Sequence, residues 1–178
     1  MASGQRARVW LMRGTFSLLV LIIMFFQLLP LETQPRQWAP PDLIMGLAFV
    51  WALRRPDYVP AFLLATLLLL SDLLFQRPPG LMALLIILAC EILKVRILSN
   101  RETTFMAEWI EVALAIAAVT ALNRVVLNLT GVAQASLTLT MIQMIMTIGI
   151  YPILIAFSQT VLGVRKLTPV EADAIGNR

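Results

Sequence analysis

Long apolar runs alternate along the chain with short breaks that are polar or rich in proline. Most runs approach the roughly 20 residues that a helix needs to cross a hydrocarbon core, and proline in the breaks cannot continue a helix. The pattern predicts an all-α polytopic membrane protein with six transmembrane helices, over residues 14–31, 42–53, 58–75, 81–98, 105–128 and 137–162. Residues 163–178 then form a short tail, in which Thr168-Pro-Val-Glu171 predicts the start of a helix that runs to Ile175.

The second apolar run is short, and the distribution of basic residues between the loops indicates whether it crosses the membrane. Residues 43–53 would form a helix only about 17 Å long at 1.5 Å per residue, which suits either a short span or a re-entrant half-helix. Asp42, which follows two prolines, suits the N-cap of this helix. If the run crosses, the side that holds the N-terminus carries most of the basic residues, and the loops on the other side carry only Arg36 and Arg77. Cytoplasmic loops are enriched in Lys and Arg, so crossing is favoured and both termini are predicted to be cytoplasmic.

Composition supports a membrane protein and excludes several other classes. Hydrophobic residues make up 60% of the chain and charged residues 13%, whereas a soluble domain has about 45–50% and about 25%. Histidine is absent and Cys90 is the single cysteine, so the usual general base and zinc ligand are missing and no intramolecular disulfide can form. The basic residues lie between apolar runs rather than in one patch, which argues against a nucleic-acid partner. We therefore expect no enzyme activity, no metal and no cofactor.

Six polar residues from five segments are predicted to lie in the outer third of the membrane. This polar cluster consists of Asp42, Asp72, Arg77, Asn123, Arg124 and Gln143. Charges within a membrane must find partners, so one interpretation is an internal Asp–Arg network that locks the helices together. The other is a polar pocket or a docking groove for the helix of a partner. The sequence leaves both open.

Acidic residues also occur deeper in the predicted spans. Glu91 lies about 15 Å into the fourth span, where it could pair with Lys94 one turn on or act as a proton-coupled site. Glu108 and Glu111 share a helix face at the inner start of the fifth span, with no nucleophile or metal-ligand spacing beside them. For these two we expect salt bridges to Arg54, Arg55 or Lys94.

Two further features concern helix packing. Ala113, Ala117 and Ala121 recur every fourth residue of the fifth span, a small-residue pattern that lets helices approach closely. Gly149 and Pro152 interrupt the sixth span and predict a kink near the middle of the membrane.

Several short strings, spread over nearly the whole chain, resemble those of one known family. They are Phe26-Gln-Leu-Leu-Pro-Leu31, Trp38-Ala-Pro-Pro-Asp-Leu43, Arg54-Arg-Pro-Asp-Tyr58, Asp72-Leu-Leu-Phe-Gln-Arg-Pro-Pro-Gly80, Asn123-Arg124, Gln143 with Tyr151-Pro152, and Gly163-Val-Arg-Lys166. The string from Asp72 to Gly80 is fairly specific, whereas the apolar runs are not. On these residues the sequence resembles the bacterial rod shape-determining protein MreD family, in its alphaproteobacterial form.

The resemblance implies a non-enzymatic component of the bacterial inner membrane that helps to organise lateral peptidoglycan synthesis and rod shape. Members of the family bind the bitopic protein MreC, and through it are linked to MreB, RodA and the elongation transpeptidase. Their fold resembles the six-helix substrate-binding subunits of energy-coupling-factor transporters, and no cofactor or catalytic residue is implied. The bundle is then expected to clamp the transmembrane helix of MreC beside the polar cluster, so that replacing Asp72 or Arg124 by alanine weakens MreC retention without unfolding the protein.

The alternative is a small-solute-binding membrane subunit of a transporter. Short and interrupted spans, such as the second and sixth runs, are features from which transporters build binding sites. Against this alternative, Glu91 is nearly alone as a polar group near the middle of the membrane.

Overall fold

The computed structural model describes residues 2–29, 38–99 and 104–164, and these residues form six α-helices and no strand. The helices are α1 (Ala2–Leu28), α2 (Leu43–Arg54), α3 (Ala61–Leu74), α4 (Leu81–Ser99), α5 (Phe105–Leu129) and α6 (Leu137–Thr160). A single 3-10 turn, Pro56–Tyr58, connects α2 to α3. The predicted all-α fold is thus confirmed for the described part of the chain. The helix predicted from Thr168 to Ile175 lies outside it.

Two helices begin three or more residues away from the start of the predicted span, each for a local reason. α1 begins at Ala2 rather than at residue 14, because arginine is a good helix former and the basic segment extends the helix beyond the apolar run. α3 begins at Ala61 rather than at residue 58, because Pro56 starts the 3-10 turn and Pro60 occupies the N-cap with extended backbone. In both cases the apolar run identifies the helix but not the residue at which the helix begins.

The short helix α2 lies in the centre of the bundle. Every residue from Ile44 to Arg54 is buried, and α2 packs against α1, α4 and α6. Contacts between α1 and α3, α3 and α4, α4 and α5, and α5 and α6 connect the helices around it. A helix that is apolar on all sides is normally an interior one. At Gly46 an added Cβ would lie 2.6 Å from Cδ1 of Leu154, so α2 and α6 approach closely there.

The outward faces of the surrounding helices are strongly apolar. Large hydrophobic side chains such as Trp10, Phe62, Leu114 and Ile153 are more than half exposed. Among the described residues, three helices are long and apolar enough to cross a membrane, namely the Arg6–Leu28 part of α1, all of α5 and all of α6. Length, composition and the apolar exterior together indicate a membrane protein.

Helix α6 runs unbroken across Pro152 because a neighbouring helix supplies the missing hydrogen bond. Proline has no N–H, so it leaves the carbonyl of Ile148, four residues earlier, without its intrahelical donor. The indole Nε1 of Trp109 in α5 donates to that carbonyl oxygen at 3.0 Å. Such compensation by a neighbour is how transmembrane helices accommodate proline. The predicted kink stays a prediction.

The alanine stripe of α5 lies beside the interior face of this helix rather than within it. The buried residues of α5 are Glu108, Val112, Ile116 and Val119. Ala113 and Ala117 are partly buried, whereas Ala121 is exposed.

Candidate functional site

The hairpin between α3 and α4 is organised by the carboxylate of Asp72, which is 1% exposed. Its Oδ2 accepts hydrogen bonds from the backbone N–H of Gly80 at 3.1 Å and from that of Ala83 at 3.2 Å. The first N–H groups of a helix lack intrahelical acceptors and carry a partial positive charge, so Asp72 caps α4 from the preceding helix. Left-handed backbone at Gln76 and Gly80 closes the turn that makes this contact possible.

Asp42 caps the central helix, as predicted, and also attaches it to α6. Its Oδ1 accepts from the N–H of Met45 at 3.0 Å, and its own N–H donates to Oγ1 of Thr147 at 2.9 Å. The Nη1 of Arg77 lies 3.8 Å from Oδ2 of Asp42. The start of α2 is thereby connected both to α6 and to the hairpin.

Arg124 joins the end of α5 to the start of α6. Its Nη1 donates to Oγ1 of Thr140 at 2.8 Å and to the carbonyl oxygen of Ala135 at 3.2 Å. The amide of Gln134 donates to the carbonyl oxygen of Arg124 at 3.3 Å and to Oδ1 of Asn128 at 3.0 Å. These bonds fix the turn between the two helices.

These elements surround a cleft of about 360 Å³. It lies at the end of the bundle where α2, α4 and α6 begin and where α3 and α5 end. The lining residues are Asp42, Met45, Gln76, Arg77, Pro78, Met82, Thr120, Asn123, Arg124, Leu127, Val132, Ala133, Gln134, Ala135, Thr140, Gln143, Met144 and Thr147. The structure therefore brings together five of the six residues of the polar cluster around one cleft. Asp72 does not line it.

The cleft combines charged, neutral polar and apolar walls. Its charged lining residues are two arginines and one aspartate, Arg77, Arg124 and Asp42, which gives a formal excess of one positive charge. Amides and hydroxyls supply neutral donors and acceptors, and three methionines form part of the apolar wall. Its volume lies at the small end of the roughly 300–1,000 Å³ that is usual for small-molecule sites. Within the described residues no group of three or more His, Cys, Asp or Glu side chains could hold a metal ion.

A second polar group is buried near the other end of α2. The Nη2 of Arg54 lies 3.3 Å from Oε1 of Glu108, and the hydroxyl of Tyr151 donates to the same oxygen at 3.3 Å. All three residues are at most 5% exposed. The predicted salt bridge between Glu108 and Arg54 is confirmed. This contact connects α2, α5 and α6 inside the bundle.

Glu91 pairs with Lys94, which is one of the two roles that the sequence suggests for it. Its Oε1 accepts from Nζ of Lys94 at 2.8 Å, and Lys94 also donates to the carbonyl oxygen of Val59 at 3.0 Å. The Glu91 side chain is 47% exposed, whereas that of Lys94 is 10% exposed. A proton-coupled role for Glu91 stays a prediction.

Sequence reasoning missed several lining residues. Thr147 follows Gln143 by four residues and so shares its helix face, a spacing that could have indicated it. Gln76 and Gln134 lie in turns, where no periodicity reports which way a side chain points.

Comparison with protein-family models, with curated proteins and with solved structures found no match for this chain.

Proposed function

We propose that this chain is a non-enzymatic, MreD-like component of the cell-wall elongation machinery, which binds MreC and helps to organise lateral peptidoglycan synthesis and rod shape. One observation carries the proposal. Four of the strings on which the resemblance rests are far apart in sequence, yet they contribute Asp42, Arg77, Asn123 with Arg124, and Gln143 to a single cleft. That convergence is what a shared binding role for these residues would require.

The proposed arrangement has six spans in the bacterial inner membrane, with both termini cytoplasmic and the cleft at the outer face. The six helices and the apolar exterior support it, although α2 and α3 are shorter than a typical span. Because α2 is enclosed by its neighbours, it does not have to match the lipid thickness by itself. The proposal includes a fold like that of the substrate-binding subunits of energy-coupling-factor transporters.

In the proposed mechanism, the bundle clamps the transmembrane helix of MreC at an apolar outer face, and MreC links it to MreB, RodA and the elongation transpeptidase. The cleft then lies near the point where that helix leaves the membrane. Asp72 is buried and caps α4, so its replacement would disturb the fold as well as the partner. Arg124, which lines the cleft, is therefore the better residue for testing contact with MreC.

The test is a mild-detergent purification of the tagged protein from its native membranes, with an unrelated tagged membrane protein as control. Recovery of MreC and a RodA-type synthase at levels well above the control is expected. Purification of the chain without MreC, from membranes that contain it, would contradict the proposal.

The cleft also favours a second candidate, the solute-binding membrane subunit of a transporter. Its volume and its combination of polar and apolar walls suit a small molecule. The same purification separates the two candidates, because a transporter subunit should bring an ATPase module with it.

A further inference from the structure

The cleft contains two guanidinium groups, and several of their N–H donors have no acceptor among the described residues. An arginine has five N–H donors. Both hydrogen bonds that Arg124 donates come from Nη1, so its Nε and Nη2 have no acceptor within the described part of the chain. Each of these nitrogens is thus available to an acceptor that enters the cleft.

Arg77 is held still more weakly. Its Nη1 is 3.8 Å from the carboxylate of Asp42, longer than the roughly 2.7–2.9 Å of a charge-assisted hydrogen bond. Among the described residues, its guanidinium also lies over the face of the Phe75 ring, and its side chain remains 38% exposed. Asp42 does not depend on Arg77, because its other oxygen already accepts from Met45. Arg77 can therefore turn to an incoming acceptor without leaving Asp42 unpartnered.

The walls of the cleft indicate what that acceptor belongs to. Guanidinium groups pair in a two-pronged way with carboxylate and phosphate, and the cleft has one positive charge in excess. Met45, Met82 and Met144 line the same space and offer adaptable apolar contact to a hydrocarbon part. The ligand that satisfies both features is small, anionic and amphiphilic.

We infer that the cleft binds the phosphate or carboxylate group of a small amphiphilic anion, with Arg77 and Arg124 on the anionic group and the methionines on the apolar part. The anion could come from the headgroup of a phospholipid or from a water-soluble ester, since both present the same chemistry. The inference does not require MreC binding. If the cleft bound no anion, the proposal that the chain binds MreC would be unaffected. If the chain did not bind MreC, the inference about the anion would be unaffected.

Three probes test the inference with the purified full chain in a non-ionic detergent at low ionic strength. They are dihexanoylphosphatidylglycerol, dihexanoylglycerol, which has the same acyl chains without the phosphate, and glycerol phosphate. We expect the phosphatidylglycerol to bind at least about tenfold more tightly than dihexanoylglycerol, the size of effect that a charge-assisted hydrogen bond gives. Equal binding of glycerol phosphate would indicate a water-soluble ligand, and its failure to bind would indicate a lipid. Equal affinity for the two dihexanoyl lipids would overturn the inference.

Arginine variants show whether the cleft is responsible. Arg124→Lys keeps the charge but loses two-pronged pairing, and Arg77→Gln removes a charge; each should weaken phosphatidylglycerol binding about tenfold. Arg96→Gln is the matched control, because Arg96 is exposed and lies about 20 Å along α4 from the cleft. Should Arg124→Lys fail to fold, the half-exposed Arg77 still provides the test. Weakening by Arg96→Gln as large as that by Arg77→Gln would also overturn the inference.

Discussion

Replacing Asp72 by alanine should destabilise the protein because it removes Oδ2, the oxygen that caps α4. That oxygen accepts from the N–H groups of Gly80 and Ala83 at 3.1 and 3.2 Å, and the side chain is buried. The alanine variant leaves two N–H groups at the start of α4 without their acceptor, at a site that water does not readily reach. Asp72→Asn can keep an oxygen in the same place; it loses the charge and replaces the other oxygen by an NH2 group.

The magnitude follows from the two bonds. A hydrogen bond to a charged group contributes about 1.5–3 kcal/mol, and loss of an N-cap costs about 0.5–2 kcal/mol. Both bonds end on one oxygen, and the one from Gly80 is only partly buried, so the two contributions do not add in full. We expect Asp72→Ala to lower the free energy of unfolding by about 3 kcal/mol and Asp72→Asn to lower it by about 1 kcal/mol.

The assay is equilibrium unfolding in mixed micelles with increasing dodecyl sulfate, followed by the fluorescence of the four tryptophans. Asp57→Ala is the control, since it removes an exposed carboxylate in the 3-10 turn that precedes α3. If Asp72→Ala were no more destabilising than Asp57→Ala, the capping role of Asp72 would be refuted.

Three further predictions test the rest of the structure. Glu108→Gln leaves the buried Arg54 without its carboxylate and should cost about 3 kcal/mol in the same unfolding assay, whereas replacing both residues by leucine should recover much of that loss. Trp109→Phe should cost about 1 kcal/mol in the natural chain but less beside Pro152→Ala, which restores an intrahelical donor, and a double-mutant cycle measures the difference. The proposed topology puts the exposed residue Ala133 outside the inner membrane. A maleimide that cannot cross the inner membrane should therefore label Ala133→Cys in cells whose outer membrane alone has been permeabilised. Protection of this cysteine would contradict the topology.

The helices could be placed from the sequence because apolar runs and proline breaks act locally. The N-cap at Asp42 was equally accessible, since a carboxylate directly after two prolines and before an apolar run has few other roles. The central position of α2 was missed, although its run is apolar on all sides, which is a signal of full burial. The start of α1 at Ala2 was not predicted, because hydropathy identifies the apolar segment and not the polar residues that extend the helix before it.

The site was only partly accessible from the sequence. Helix lengths predict one membrane depth for the members of the polar cluster, but depth alone does not say which side chains share a cleft. The role of Asp72 could not be predicted from the sequence. Its partners are backbone N–H groups eight and eleven residues later, which the shape of the turn brings close. For Glu108 the sequence offered three candidate cations and no sign of Tyr151, which only the packing of α6 brings to it.

The two ends of α2 therefore carry different kinds of polar group. Arg54 and Glu108 are enclosed, so their contact serves to hold the helices together. At the other end, Asp42 lies against a cleft that also exposes donors of Arg77 and Arg124. Open space, together with arginine donors that have no acceptor among the described residues, occurs at the cleft end, which is why the proposed binding role is assigned there.

The central claim is that this chain binds MreC through the cleft end of the bundle. The most direct measurement is the amount of MreC recovered per tagged chain from native membranes, for the natural protein, Arg124→Ala and Arg96→Ala side by side. We predict equal recovery with the natural protein and Arg96→Ala, and a severalfold lower recovery with Arg124→Ala that still elutes as a folded, monodisperse species. Absence of MreC from the natural protein, or undiminished recovery with Arg124→Ala, would contradict the account.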